Sequence, residues 1–167
     1  MKKALGIAVM GSMILLAGCN GSKDTKEPKE KVEQSTEQTE EMKVYREVHE
    51  KYDMKINKEI NKALQLWEVA KEKGGKEITN ATYKEDVQKV TTNMLEDIDH
   101  IRKEIRVPKS KEQEHELYVG FLNEAEQAIK KLQKLAKEED SSLIRDIEIN
   151  FSTASTYYKR FQAETKK

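Results

Sequence analysis

Four times along this chain apolar residues recur at steps of three and four, and the first two runs are closed by residues that helices tolerate poorly. That spacing stacks the apolar side chains on one face of an α-helix, which turns once in about 3.6 residues. The first run holds Tyr45, Val48, Tyr52, Ile56, Ile60, Ala63, Trp67 and Ala70, and stops at Gly74 and Gly75. Glycine closes helices because it adopts the left-handed conformation at little cost. The second run is Tyr83, Val87, Val90, Met94, Ile98, Ile101 and Ile105. It stops before Pro108, which drives the residue ahead of it out of the helical region. The third run carries Tyr118, Leu122, Ala125, Ile129, Leu132 and Ala136, widened by Phe121, Ala128 and Leu135. Gly120 within it is expected to be merely tolerated, at about 1 kcal/mol relative to alanine. Residues 137–140 then form a charged connection to a fourth run through Leu143 or Ile144, Ile147, Phe151, Ala154, Tyr158 and Phe161.

The run starts carry their own signals. Thr82 with Glu85, and Ser110 with Gln113, have the spacing of capping boxes, in which each side chain satisfies the other's backbone donor. Asp140 or Ser141 is expected to cap the fourth helix. Amphipathic helices joined by short connections hide their apolar faces by packing as antiparallel neighbours. The sequence therefore predicts an all-α, up-down-up-down four-helix bundle over residues 41–167. A long helical hairpin pairing with a second copy is the alternative. The chain is 37% charged, and those charges read as solvated outer faces laced by pairs four residues apart.

The N-terminus follows a different pattern. Lys2 and Lys3 precede an uncharged run over residues 4–16, about 13 residues where a membrane-spanning helix takes roughly 20. A basic start, a short apolar stretch and small residues make the layout of a secretory signal, here residues 1–18. Leu16, Ala17 and Gly18 lead directly into Cys19, the only cysteine in the chain. This stretch resembles the bacterial lipoprotein lipobox. The resemblance implies that Cys19 is diacylated, becomes the first residue of the mature protein and holds it to the membrane through covalent lipid. Two acyl chains anchor stably, each buried methylene contributing about 0.8 kcal/mol. Residues 20–40 contain one apolar residue, Val32, too little to offset the entropy of ordering, so 19–40 are expected to form a disordered tether. Without residues 1–18 the chain keeps 149 residues, with 29 basic against 31 acidic. That balance argues against nucleic acid, which needs a concentrated basic face.

Candidate chemistry is sparse. Laying the runs side by side brings His49, His100 and His115 to the end of the bundle where the tether enters. Tyr45, Tyr52, Tyr118, Phe121, Tyr157, Tyr158 and Phe161 fall at the same end, and Trp67 and Tyr83 at the other. Asp97 and Glu112 stand three residues before His100 and His115, a spacing used in di-iron bundles. Yet His100 and Asp97 fall beside the apolar stripe, as do Glu47 and Glu50, so no metal ligands, no cofactor and no catalytic residues are expected. No nucleophile elbow, phosphate loop or His-Glu-x-x-His motif is present. Asn80 with Thr82 matches a glycosylation pattern and is read as helix capping instead. Cys19, as the lipidation site, is the one functional residue assigned.

As a whole the chain resembles the small Gram-positive (Bacillus-type) membrane lipoproteins, in which a lipobox and a Lys/Glu/Thr/Gln-rich tether precede a helical domain of unknown function. Val107 with Pro108, followed by His115 and Tyr118, looks like a turn of those domains. The resemblance implies a non-enzymatic interaction module on the extracellular face of the cell membrane, with an envelope protein or cell-wall partner. A small-ligand or metal receptor using the His/Tyr end is the alternative, and a peptide signal from residues 11–18 is a third reading.

Overall fold

The computed structural model describes residues 30–72 and 75–166, and every regular element there is helical. Helix α1 spans Glu30–Glu72, α2 Ala81–Glu104, α3 Glu112–Glu138 and α4 Leu143–Glu164, with short 3₁₀ turns at Lys76–Thr79 and Lys109–Lys111. Together they form an all-α four-helix bundle. Polar contacts fix the register between neighbours. Tyr52 on α1 reaches Glu104 at the end of α2, while Leu66 accepts from Tyr83 near its start. Gln133 of α3 meets Gln88 of α2, and Arg102 meets Asn123. Lys131 and Glu124 of α3 both bind Asn150 of α4.

Every residue of the four apolar runs is buried or packed, half-buried, against the core. Thr91 is the most deeply buried polar residue; its hydroxyl bonds back to the Gln88 carbonyl, which satisfies it inside its own helix. Trp67 at the far end donates its indole N–H to the Ile144 carbonyl at 2.9 Å, joining α1 to the first turn of α4.

The helix starts differ from the sequence expectations. Asn80, not Thr82, caps α2: its side-chain oxygen accepts from the Thr82 and Tyr83 amides. Ser110 caps nothing, because Lys109–Lys111 form a 3₁₀ turn and α3 begins at Glu112 without a side-chain cap. Pro108 holds an extended backbone, and a turn tightened by the Lys111 amide donating to its carbonyl takes over the satisfaction of the helix start. At α4, Asp140 stands two residues ahead of the N-cap Ser142, accepting from both its amide and its hydroxyl. Residues 137 and 138 belong to α3, which ends at Glu139 in the left-handed region (φ 57°). Gly75 (φ 80°) follows α1 and donates its amide to the Ala70 carbonyl; Gly74 lies outside the described residues.

The tether expectation also needs correction at one end. Residues 30–40 are helical and belong to α1. Glutamate, lysine and glutamine are good helix formers, and adding turns to an existing helix avoids the nucleation step that makes isolated helices costly. The signal 1–18, Cys19 and the tether up to residue 29 lie outside the described residues.

Gly120 is more than tolerated. A Cβ built there would lie 2.5–2.6 Å from ring carbons of Tyr157 on α4, so the tyrosine ring lies flush on the α3 backbone. Two stability predictions follow from this packing. Gly120→Ala should lower the free energy of unfolding by about 1–3 kcal/mol through overpacking, although alanine is the better helix former. Denaturant titration measures the loss, and in a Tyr157→Ala background the penalty of Gly120→Ala should largely vanish. Ile98, 1% exposed, should not accept Asp: an unpaired buried carboxylate costs several kcal/mol against a total of about 5–15. Circular dichroism should show Ile98→Asp largely unfolded.

Candidate functional site

Large side chains fill the space between α1 and α4. Trp67 faces Phe151 with ring centroids 6.5 Å apart, and His49 stacks on Phe161 at 5.4 Å. Rings of that size hold two helix backbones apart, and α1 approaches α4 far less closely than α3 does. At the tyrosine end this spacing leaves a groove of about 400 Å³, bordered by Tyr45, His49 and Asp53 of α1, Glu114 of α3, and Tyr158 and Phe161 of α4.

The polar groups of this end bind one another. Asp53 accepts from Tyr118 at 2.7 Å and pairs with the His49 Nδ1 at 3.1 Å. Glu114, 7% exposed, accepts from Tyr45 at 3.3 Å and from Lys111 at 2.5 Å. Burial raises the pKa of both tyrosines, and the adjoining carboxylates, Glu114 for Tyr45 and Asp53 for Tyr118, raise it further. Both phenols therefore stay protonated and act as donors that hold α1 to α3.

His49 lies at the centre of the rings, edge-on to Tyr45 at 4.6 Å and to Tyr118 at 4.5 Å. With Nδ1 facing the Asp53 carboxylate, its Nε2 is buried and has no hydrogen-bond partner. The Nδ1 of His115, which lies across Tyr45 at 6.2 Å, is buried and unpaired in the same way. Desolvation pushes the His115 pKa down, and the neighbouring His49 adds to the effect. Among the described residues, no three His, Cys, Asp or Glu side chains are placed to hold a metal ion.

The third histidine belongs to a separate, exposed arrangement. His100 stacks on Tyr52 at 6.3 Å and lies 3.8 Å from Glu104. Glu104 takes Tyr52 at 2.7 Å and Lys51 at 2.9 Å, and Lys51 first, then Tyr52, holds its carboxyl below the usual range. The structure thus brings His49 and His115 around Tyr45 and leaves His100 on the neighbouring seam. Where a histidine has a carboxylate partner, it lies four residues later, as in His49–Asp53 and His100–Glu104; the Asp97 and Glu112 positions are not used. Asp53 and Glu114 were missed as site residues. The four-residue spacing of His49 and Asp53 was present in the sequence, but nothing in it showed Tyr118 arriving from another helix.

No known protein family, curated protein or solved structure matches this chain. Among the described residues no helix is long and apolar enough to cross a membrane.

The half-buried His115 predicts a pH dependence. A folded-state pKa below the ordinary 6.5 means that the unfolded chain takes up a proton the folded chain resists. Stability should therefore be full above pH 6.5 and fall as the pH drops through that value. Urea midpoints between pH 7.5 and 5.5 should decline, and His115→Gln should flatten the decline. The carboxyls held low, such as Glu104, act only at more acid pH.

Proposed function

We propose that this chain is a lipid-anchored interaction module of the cell envelope, held at the membrane by acyl chains on Cys19 and binding an envelope protein or wall material without catalysis. One observation supports the reading best. The reactive groups gathered at the aromatic end are engaged with each other: Asp53 by His49 and Tyr118, and Glu114 by Tyr45 and Lys111. Such a network stiffens the wall of the α1–α4 groove and presents rings and rim side chains to a partner, while the carboxylates are taken up within the fold. The rim includes Arg46, Glu50 and Gln162, all exposed.

Two measurements test it. Cys19→Ala should leave an unprocessed precursor without acyl mass on its N-terminal peptide, and wild-type protein lacking that mass would remove the anchor from the reading. A photo-crosslinker at Gln162 should capture a discrete envelope species in intact cells, and the same probe at Glu96 on the exposed face of α2 should not. The second reading is a small-ligand receptor. It draws on the groove's volume of about 400 Å³, within the range of ligand sites, and on the unpaired His49 nitrogen. A stoichiometric small molecule carried through purification and lost in His49→Phe would favour it.

A further inference from the structure

Helix α4 carries the longest stretch without a charged side chain among the described residues, 149–158. In a chain that is 37% charged, burial would account for such a stretch, yet only part of it is buried. Phe151 and Ala154 enter the core, whereas Ile149, Ser152 and Thr156 face solvent on the other side of the helix. Ile149 is 53% exposed, the one large apolar side chain outside α1 that the fold leaves open among the described residues. The threonine hydroxyls do little to wet this face. Thr153 donates to the Ile149 carbonyl at 2.9 Å and Thr156 to the Ser152 carbonyl at 3.0 Å, so both donors are already used within α4. Charge returns at the two ends of the face. Glu148 stands at one, exposed, with one oxygen taken by Lys71. Lys159 and Arg160 stand at the other, both exposed and without a polar partner among the described residues.

We propose that this face of α4 is the contact through which two copies of the chain pair, antiparallel, about a two-fold axis level with Ala154. A two-fold axis pairs positions that lie equally far on either side of it. Ser152 of one copy then meets Thr156 of the other, and such small side chains let the two backbones approach closely. Ile149 packs on the aliphatic stem of Arg160 from the second copy. The same axis brings Glu148 of each copy level with Lys159 of the other, on one flank of the helix, so two ion pairs close the ends. Arg145 falls opposite Ala163 and meets no like charge. The pattern is thus complementary to its own reverse, as a contact between identical surfaces requires. One helix pair covers less than the about 1,200 Å² of a stable interface, so the dimer is weak and forms as concentration rises. It uses neither the aromatic groove nor the anchor.

Sedimentation equilibrium of the full chain tests the pairing, in density-matched detergent and with Cys19→Ala so that acyl chains cannot hold copies together. Reversible dimerisation is expected. Ser152→Arg, which sets bulk and charge at the centre of the contact, should abolish it. Lys159→Glu and, separately, Glu148→Lys should each weaken association at least about tenfold, since like charges then face each other twice. The two changes together should restore it to within about threefold of the unaltered chain. Positions 148 and 159 stand about 16 Å apart along one helix, too far to pair within a copy, so recovery arises only between copies. All three positions are exposed, and circular dichroism should be unchanged in every variant. A chain still monomeric at about 1 mM would overturn the proposal. So would a dimer that survives Ser152→Arg, or a double charge swap without recovery.

Discussion

The spacing between helices in this bundle is set by the size of the side chains between them, and the rest of the molecule follows from it. Between α3 and α4 the backbone itself takes part in the contact: Gly120 lies under the Tyr157 ring, beside the ring contacts of Tyr118 with Phe161 and Phe121 with Tyr158. A missing Cβ there lets the helices come close, and this is the most extensively packed pair in the bundle. Between α1 and α4 lie His49, Phe161, Trp67 and Phe151. Rings cannot compress, so those two helices stand apart, and a groove opens where the rings end.

Polar satisfaction decides how that wider interface stays ordered. An aromatic end with unmet hydroxyls would be destabilising, because each buried hydroxyl without a partner costs about 1–3 kcal/mol. Here Tyr118 and Tyr45 donate to Asp53 and Glu114, and Asn57 donates to Tyr158 across the α1–α4 seam. The same carboxylates orient His49 and pair Lys111. Among the described residues, the buried side-chain atoms left unmet are the His49 and His115 ring nitrogens and one Glu59 carboxylate oxygen. These positions mark where the fold's own packing leaves polar atoms unmet.

Surface charge plays a lesser part. Many of the ion pairs are exposed pairs within one helix, such as Lys103–Asp99 and Lys134–Glu138, or cross-helix pairs such as Lys71–Glu148. Pairs of this kind contribute about 0–1 kcal/mol each. Lys51–Glu104 differs because Tyr52 shares the carboxylate, which ties the exposed pair to a core residue and fixes the register of α1 against α2.

Periodicity was enough to place the core. Tyr45, Ile56, Val87, Met94, Ile98, Leu132 and Ile147 are buried because a stripe at helical spacing has no other way to leave water, whatever it packs against. Local chemistry was read less well. Thr82 and Ser110 had the right neighbours for capping boxes, yet Asn80 and a 3₁₀ turn took those roles, since competing caps one or two residues apart differ by little. Residues 30–40 looked disordered by composition but continue α1, because a helix already nucleated by its packed portion extends cheaply through Glu, Lys and Gln. The sequence by itself determined that there would be four amphipathic helices and which face of each would be hidden, since both depend on spacing within one segment. Only the tertiary structure decided that Asp53 would meet Tyr118, that Gly120 would seat Tyr157, and that Glu59 would keep one oxygen unmet, since each depends on the distance between helices, which is fixed jointly by side chains far apart in the chain.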